Sequence, residues 1–315
     1  MSKYFIITVD TEGDNLWHYH TGDIVKTHNT QFIPRFQDLC SQYEFLPVYL
    51  TNYEMIKDDD YVNYIKRVVE KNQCEVGIHV HAWNNPPLFD LGRGISDNTY
   101  LIEYPFDVMK QKFATTYNLI KERIGMPPVS HRAGRWAMNE AYFQILKDYN
   151  ILVDCSHTPH IDWSSSKGYT MGGPDYRNVN VMPSLIDGVL EVPVSILTSN
   201  KKIKLGLKSK LYYYYKGLKI PRKVIWLRPA QSPLSDMKKL VEVSSKNGQC
   251  DYLEFMVHSS ELMPGGSPYF PTKQSIEKLY SDMESFFCYV RSKGYEGCTL
   301  KQYRFIFEKK INEKQ

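Results

Sequence analysis

An α/β fold whose parallel sheet curls into a barrel is predicted by three observations. Short apolar runs alternate with helical patterns along the chain. No internal repeat or low-complexity linker divides the 315 residues, so a single domain spanning 1–315 is expected. Two irregular stretches, 84–101 and 157–188, are rich in Asn, Pro, Gly and Ser, and they suit the long loops that build a site at the carboxyl ends of barrel strands.

Taken in order, residues 3–9, 46–50, 74–79, 151–155, 189–197 and 252–258 read as strands. Helical spacing carries Phe106, Met109, Phe113, Tyr117 and Ile120. It returns in Ile276, Leu279, Tyr280, Met283, Phe287 and Val290, after a Pro271-Thr272 start. Such alternation predicts parallel strands joined by crossover helices.

Composition narrows the class. With 42% hydrophobic and 23% charged residues the chain can bury a full core. No apolar stretch reaches the roughly 18 residues of a spanning helix. Met1-Ser2-Lys3 runs directly into the apolar run Tyr4 to Val9, a buried strand rather than a secretory leader, so a cytoplasmic location is expected. The six cysteines are scattered with no C-x-x-C, which argues for free thiols over disulfides or a thiolate zinc site. The net charge of +4 conceals a basic segment: residues 201–223 hold nine Lys/Arg and no acid, and elsewhere 30 basic residues face 35 acidic ones. General nucleic-acid affinity is therefore not expected. The segment 200–223 also carries Leu205, Leu207, Leu211 and the run Tyr212 to Tyr215. It suits either a solvated basic element or a peripheral contact with an anionic membrane face.

Asp10 and Glu12 close the first apolar run, and strand residues two apart point the same way, so both carboxylates can face one pocket. His79 and His81 close another run in the same manner. Two imidazoles and one carboxylate are a catalytic zinc set that leaves a position open for water; the second carboxylate then serves as base. Any one of these residues alone is an ordinary turn or capping group. Trp17-His18-Tyr19-His20 repeats the His spacing as a rival pair, without a strand pattern before it. Arg132 and Arg135, in Ser130-His131-Arg132-Ala133-Gly134-Arg135-Trp136, place two guanidinium groups at another strand end. An arginine there can hold a catalytic carboxylate and depress its pKa. His258 closes the last strand pattern and is suited to protonating a leaving amine.

The order of these pieces resembles the NodB-type polysaccharide deacetylases, carbohydrate esterase family 4. Thr8-Val9-Asp10-Thr11-Glu12 looks like the first motif, Gly77-Ile78-His79-Val80-His81 the second, Arg132-Ala133-Gly134-Arg135 the third and Val257-His258 the last. His79-Val80-His81-Ala82-Trp83-Asn84-Asn85-Pro86-Pro87 and His258 to Gly265 are similar to a bacterial subgroup linked to surface-polysaccharide genes. The resemblance implies a distorted, partly open (β/α)7 barrel that removes N-acetyl groups from an amino sugar or glycan with a divalent metal, zinc foremost. It implies Asp10 as general base, Arg132 as its positioner, His258 as general acid, and Glu12 and His79 as metal ligands.

The chain departs from the family pattern at three places. Asp10-Thr11-Glu12 stands where the family has two adjacent Asp. The usual second His position, four residues after His79, is Trp83, which leaves His81 as substitute ligand. Gly134-Arg135 replaces Pro-Tyr, so the backbone donor to the oxyanion is displaced or Arg135 acts instead. Arg135, Trp83 and Trp136 are thus the candidates for substrate or oxyanion contact. Two competing readings follow: a metal-free glycan-binding barrel of the same fold, and a hydrolase of another C–N amide bond.

Overall fold

A computed structural model describes residues 2–313 apart from 15, 21, 93, 95–97, 203–209, 211–213, 216–221 and 248–249. The basic 200–223 segment therefore lies mostly outside the described residues. In chain order the elements are β1 (Lys3–Thr11), α1 (Ile33–Gln42), β2 (Pro47–Thr51), α2 (Tyr53–Lys57), α3 (Asp59–Glu70), β3 (Glu75–Val80), α4 (Phe106–Ile124), β4 (Ser130–Ala133), α5 (Glu140–Asp148) and β5 (Val153–Asp154). There follow β6 (Ser184–Ile186), β7 (Val189–Glu191), β8 (Ile196–Lys202), β9 (Arg222–Trp226), α6 (Leu234–Asn247), β10 (Tyr252–His258), α7 (Lys273–Ser292), β11 (Tyr295–Gly297) and α8 (Leu300–Asn312).

The main sheet runs β10-β1-β2-β3-β4-β5-β7-β6 and is parallel as far as β7; β6 joins β7 antiparallel, and β11 lies parallel beside the start of β1. The sheet curls into an open half-barrel, as the sequence predicts. Between its ends single bonds replace a ladder: Glu254 N–H donates to Ser195 Oγ (2.9 Å), Tyr252 O–H to the Pro193 carbonyl (2.6 Å) and Met256 N–H to the Leu227 carbonyl (3.0 Å). Pro193 has no N–H to give a ladder. The expected strand 189–197 is accordingly cut in two, β7 ending at Glu191 and β8 pairing antiparallel with β9 from Ile196.

Alternation along the strands sorts side chains to the two faces. On β1, Phe5, Ile7 and Val9 join the core that the helices cover, together with Ile78 and Val80 of β3 and Phe255 and Val257 of β10. The opposite set faces the barrel interior. At its amino end this interior is apolar, where Ile6, Leu50, Val153 and Leu190 pack with Leu300 and Tyr303 of α8. Toward the carboxyl end it becomes polar, through Thr8, Glu254 and Arg132 to Asp10, Glu12, His79 and His81. The helices end where local chemistry dictates. Asp58 and Asn139 cap α3 and α5 with side-chain oxygens, Thr272 caps α7 reciprocally with Ser275, and Gly125, at φ +91°, terminates α4 in a left-handed turn.

Candidate metal centre and cleft

The register brings the candidate residues to one end of the barrel. Asp10 of β1 pairs with His258 of β10, and His79 of β3 with Arg132 of β4. Glu12 and His81 follow the ends of their strands, and Glu12 is fixed by its backbone. Its N–H donates to Ser259 Oγ (3.1 Å), and its carbonyl accepts from Ser259 Oγ (3.0 Å) and Asn29 Nδ2 (2.7 Å).

Glu12, His79 and His81 converge, all buried. Glu12 Oε2 lies 2.8 Å from His81 Nε2 and 3.6 Å from His79 Nε2, and the two Nε2 atoms are 3.1 Å apart. Ligands bonded to one tetrahedral zinc at about 2.0–2.1 Å stand roughly 3.3 Å from each other, so this triangle fits a single ion. Nδ1 of His79 donates to the Arg132 carbonyl at 2.8 Å, the outer bond that turns Nε2 toward a metal. Burial alone would raise Glu12, but His258 and the hydrogen bonds from His79 and His81 hold it far below the usual carboxylate range. Burial lowers His81 and outweighs its bond to Glu12, favouring the neutral imidazole a metal requires. The rival pair is elsewhere: His18 and His20 are exposed and outside the cluster.

Arg132 is fully buried and divides its fork. Nη1 donates to Asp10 Oδ1 (2.6 Å), Nη2 to Thr8 Oγ1 (3.0 Å) and to Glu254, and Nε to the Cys155 carbonyl (3.1 Å). Burial would raise Asp10, yet Arg132, with His79 and His258, keeps it below the ordinary value. Glu254, also fully buried, is pushed up to about 7 by burial against the pull of the same Arg132. His258 Nε2 stands 3.6 Å from Asp10 Oδ2 and 3.9 Å from Glu12 Oε1. Its Nδ1 lies 3.0 Å from Arg228 Nη2 and 3.4 Å from Glu261 Oε1. Arg228 and Glu261 are joined at 2.8 Å.

Sequence reasoning missed Glu254, Arg228 and Glu261. A faint signal existed for the first: an acid in the middle of the apolar run Tyr252-Leu253-Glu254-Phe255-Met256-Val257. Arg228 comes from a turn after β9 and had no comparable signal.

These groups open into a cleft of about 440 Å³ walled by Trp17, Trp83, Trp136, Trp163 and Tyr269. The Trp83 ring packs 4.4 Å from that of His81. Arg135 and Trp136 both line the cleft in left-handed backbone, at φ +54° and +65°; such strain, costing about 1–3 kcal/mol per residue, concentrates at functional sites. The Arg135 guanidinium lies 4.0 Å over Tyr100 and donates to the carbonyls of Asn98 and Lys167 (2.8 Å for the latter) and to Ser166 Oγ (2.9 Å). This side chain thus ties the two long loops together. Glu103 does the same, accepting backbone N–H groups of Tyr100 (2.7 Å), Tyr169 (2.9 Å), Met171 (3.0 Å) and Thr170. Lys112 secures the loop that carries Trp83, donating to the carbonyls of Ala82 (2.8 Å), Asn85 (2.8 Å) and Pro87 (2.6 Å).

No protein-family model matches the sequence, and no characterised protein matches it at the sequence level. Solved structures do. Over 99% of this chain and 92% of the other, a Mycobacterium smegmatis protein assigned as a polysaccharide deacetylase is similar, at 12% identity and a TM-score of 0.57. The fold is a distorted, partly open barrel of the NodB type. A family 57 branching enzyme from Thermococcus kodakaraensis is similar over 96% of this chain and 71% of its own, at 10% identity and a TM-score of 0.55. A 4-α-glucanotransferase from Thermococcus litoralis matches over 96% of this chain and 40% of its own, at 11% identity and a TM-score of 0.53. One barrel thus spans a deacetylase and two glucan-processing enzymes, and the chemistry must be argued from the residues.

Proposed function

We propose that this chain is a metal-dependent N-deacetylase of an amino sugar or glycan, related to carbohydrate esterase family 4. The observation that carries the reading is the Glu12–His79–His81 triangle, flanked by Asp10 on its arginine and by His258. A glycosidase reading requires a carboxylic acid of raised pKa facing the cleft. Among the described residues the two carboxylates that line the cleft, Asp10 and Glu12, are both depressed, and Glu254, which is raised, does not line it.

Glu12, His79 and His81 would hold the metal, zinc by the nature of the donor set, and a divalent ion there supplies a Lewis acid for the acetyl carbonyl and the attacking water. Asp10, held ionised by Arg132, takes a proton from that water. Arg135 and Trp136, which line the cleft, would meet the developing oxyanion. In its protonated form His258, its charge balanced by Glu261 beside the ring, directs Nε2–H into the cleft, where it protonates the departing nitrogen. The proton left on Asp10 returns to His258 across the 3.6 Å between them. The aromatic walls suit the apolar faces of sugar rings.

Two extensions accompany this reading. Among the described residues no helix is long and apolar enough to cross a membrane. Tyr214 and Tyr215, largely exposed in the basic segment, suit a peripheral contact at the cytoplasmic membrane face, as a lipid-linked glycan precursor would require. Co-sedimentation with anionic vesicles tests that contact, and no binding excludes it.

The main test is acetate release from N-acetylglucosamine oligomers, measured after chelation and again after addition of zinc. Metal-dependent release is expected. No bound metal, and no acetate release from any N-acetylated sugar or simple amide, would overturn this reading in favour of the metal-free barrel.

A further inference from the structure

Beyond Asp10 and Glu12, the described residues lining the cleft carry two guanidinium groups, Arg135 and Arg228, and among them there is no further carboxylate. Arg228 is a buried cation, 6% exposed, whose partner Glu261 is fully buried and not part of the lining. The ion pair therefore presents its positive member to the cleft. Its Nη2 is shared between Glu261 Oε1 (2.8 Å) and His258 Nδ1 (3.0 Å), while its Nε–H is a buried donor with no hydrogen-bond partner. Trp83, on the same cleft, likewise buries an Nε1–H without a partner. Buried donors, charged ones above all, are costly to leave unsatisfied, and an anion at the Arg228 side of the cleft would stabilise this guanidinium. The rings of Trp226 and Tyr269, at 5.9 and 6.0 Å, hold the guanidinium in place.

We propose that the cleft binds an acidic sugar: an N-acetylated unit that carries, or is linked to a unit that carries, a carboxylate or phosphate recognised by Arg228. This inference rests on the deacetylase reading only for the N-acetyl group; recognition of the anion requires no turnover. Charge-assisted bonds from a planar guanidinium favour oxyanions over hydroxyls, and a preformed, water-poor wall strengthens them.

Tryptophan fluorescence reports binding, because four of the five tryptophans line the cleft. The protein as purified, and again after metal removal, is titrated with N-acetylglucosamine, N-acetylglucosamine 1-phosphate and the glucuronate–N-acetylglucosamine disaccharide. Sodium acetate and inorganic phosphate serve as single-anion probes. One or both acidic sugars should bind about tenfold or more tightly than N-acetylglucosamine in both forms, and the preference should weaken with salt. The double variant Arg228→Gln/Glu261→Gln removes both charges together and leaves neither buried alone. It should lose the preference while retaining N-acetylglucosamine binding. Equal affinities, a preference that survives in the double variant, one that vanishes on metal removal, or no binding of any probe would each overturn the inference. Tighter binding of free acetate or phosphate than of the acidic sugars would also overturn it, assigning Arg228 to a small anion. Acetate release from neutral sugars without any acidic preference leaves the deacetylase reading standing alone. An acidic preference without acetate release leaves only the binding inference.

Discussion

The Nε2 atoms of His79 and His81 lie 3.1 Å apart, with Glu12 Oε2 completing the triangle. Two imidazole nitrogens and a carboxylate oxygen held this closely in a buried pocket can share one cation as a proton is shared in its absence. The position four residues after His79 is occupied by Trp83, whose ring packs against His81 instead of offering a ligand. Isothermal titration of chelator-treated protein with zinc should therefore show one site. His81→Gln should weaken it by more than the roughly 10- to 100-fold that loss of an outer-shell partner costs. Wild-type affinity in that variant would remove His81 from the ligand set.

Glu254 makes a prediction about stability and pH. Its carboxyl is raised from 4.5 to about 7, burial being the main cause, so between these values the folded state holds a proton that the unfolded state has lost. Stability from this group is present below pH 4.5 and declines as pH rises toward 7. Glu254→Gln keeps the shape and removes the titration. Urea unfolding at pH 5.0 and 7.5 should show the variant gaining stability relative to wild type at the higher pH. A difference between the two proteins that does not change with pH would mean that Glu254 is ionised throughout, paired with Arg132.

Alternation made the inner face of the barrel legible in the sequence, because Asp10/Glu12 and His79/His81 continue the strand period to which Ile6, Thr8 and Gly77 belong. Six of the parallel strands could be read from their apolar runs, apart from the break at Pro193, whereas β4 showed only as a strand end at Arg132. What escaped were contacts between distant parts of the chain. Arg132 reaches Glu254 across 122 positions, and His258 meets Arg228 thirty residues away, on a turn with no periodic pattern. The short strands β6, β9 and β11 are set by pairing partners rather than by propensity, so they too were invisible.

The long loops over the cleft are pinned at Glu103, whose carboxylate gathers N–H groups from both. Thr170 and Met171 among its partners are exposed, and all four lie outside the barrel strands, so loosening them is expected to open the loops without unfolding the barrel. Limited proteolysis of Glu103→Ala should cut faster within 95–104 and 163–173, with a thermal midpoint close to that of wild type. Unchanged cleavage would show that Arg135 and Tyr100 alone secure the loops.

Gly134 explains one departure from the family pattern and supplies the last prediction. A Cβ at this position would lie 2.4 Å from the Val80 carbonyl oxygen and 3.1 Å from His81 Nδ1. The first contact is with backbone of a central strand and cannot be relieved by a rotamer change, so β3 or the 134–136 turn has to move. Overpacking of this kind costs about 1–3 kcal/mol. The displacement falls on the residue after β3, which is His81 itself. Gly134→Ala should therefore lower the thermal midpoint and weaken zinc binding together. Gly92→Ala, which meets nothing within 4 Å but adopts φ +105°, controls for the loss of backbone freedom in a loop. Lower stability with zinc affinity intact would place the adjustment in the turn, where the oxyanion contact, and so kcat rather than metal affinity, should bear the loss.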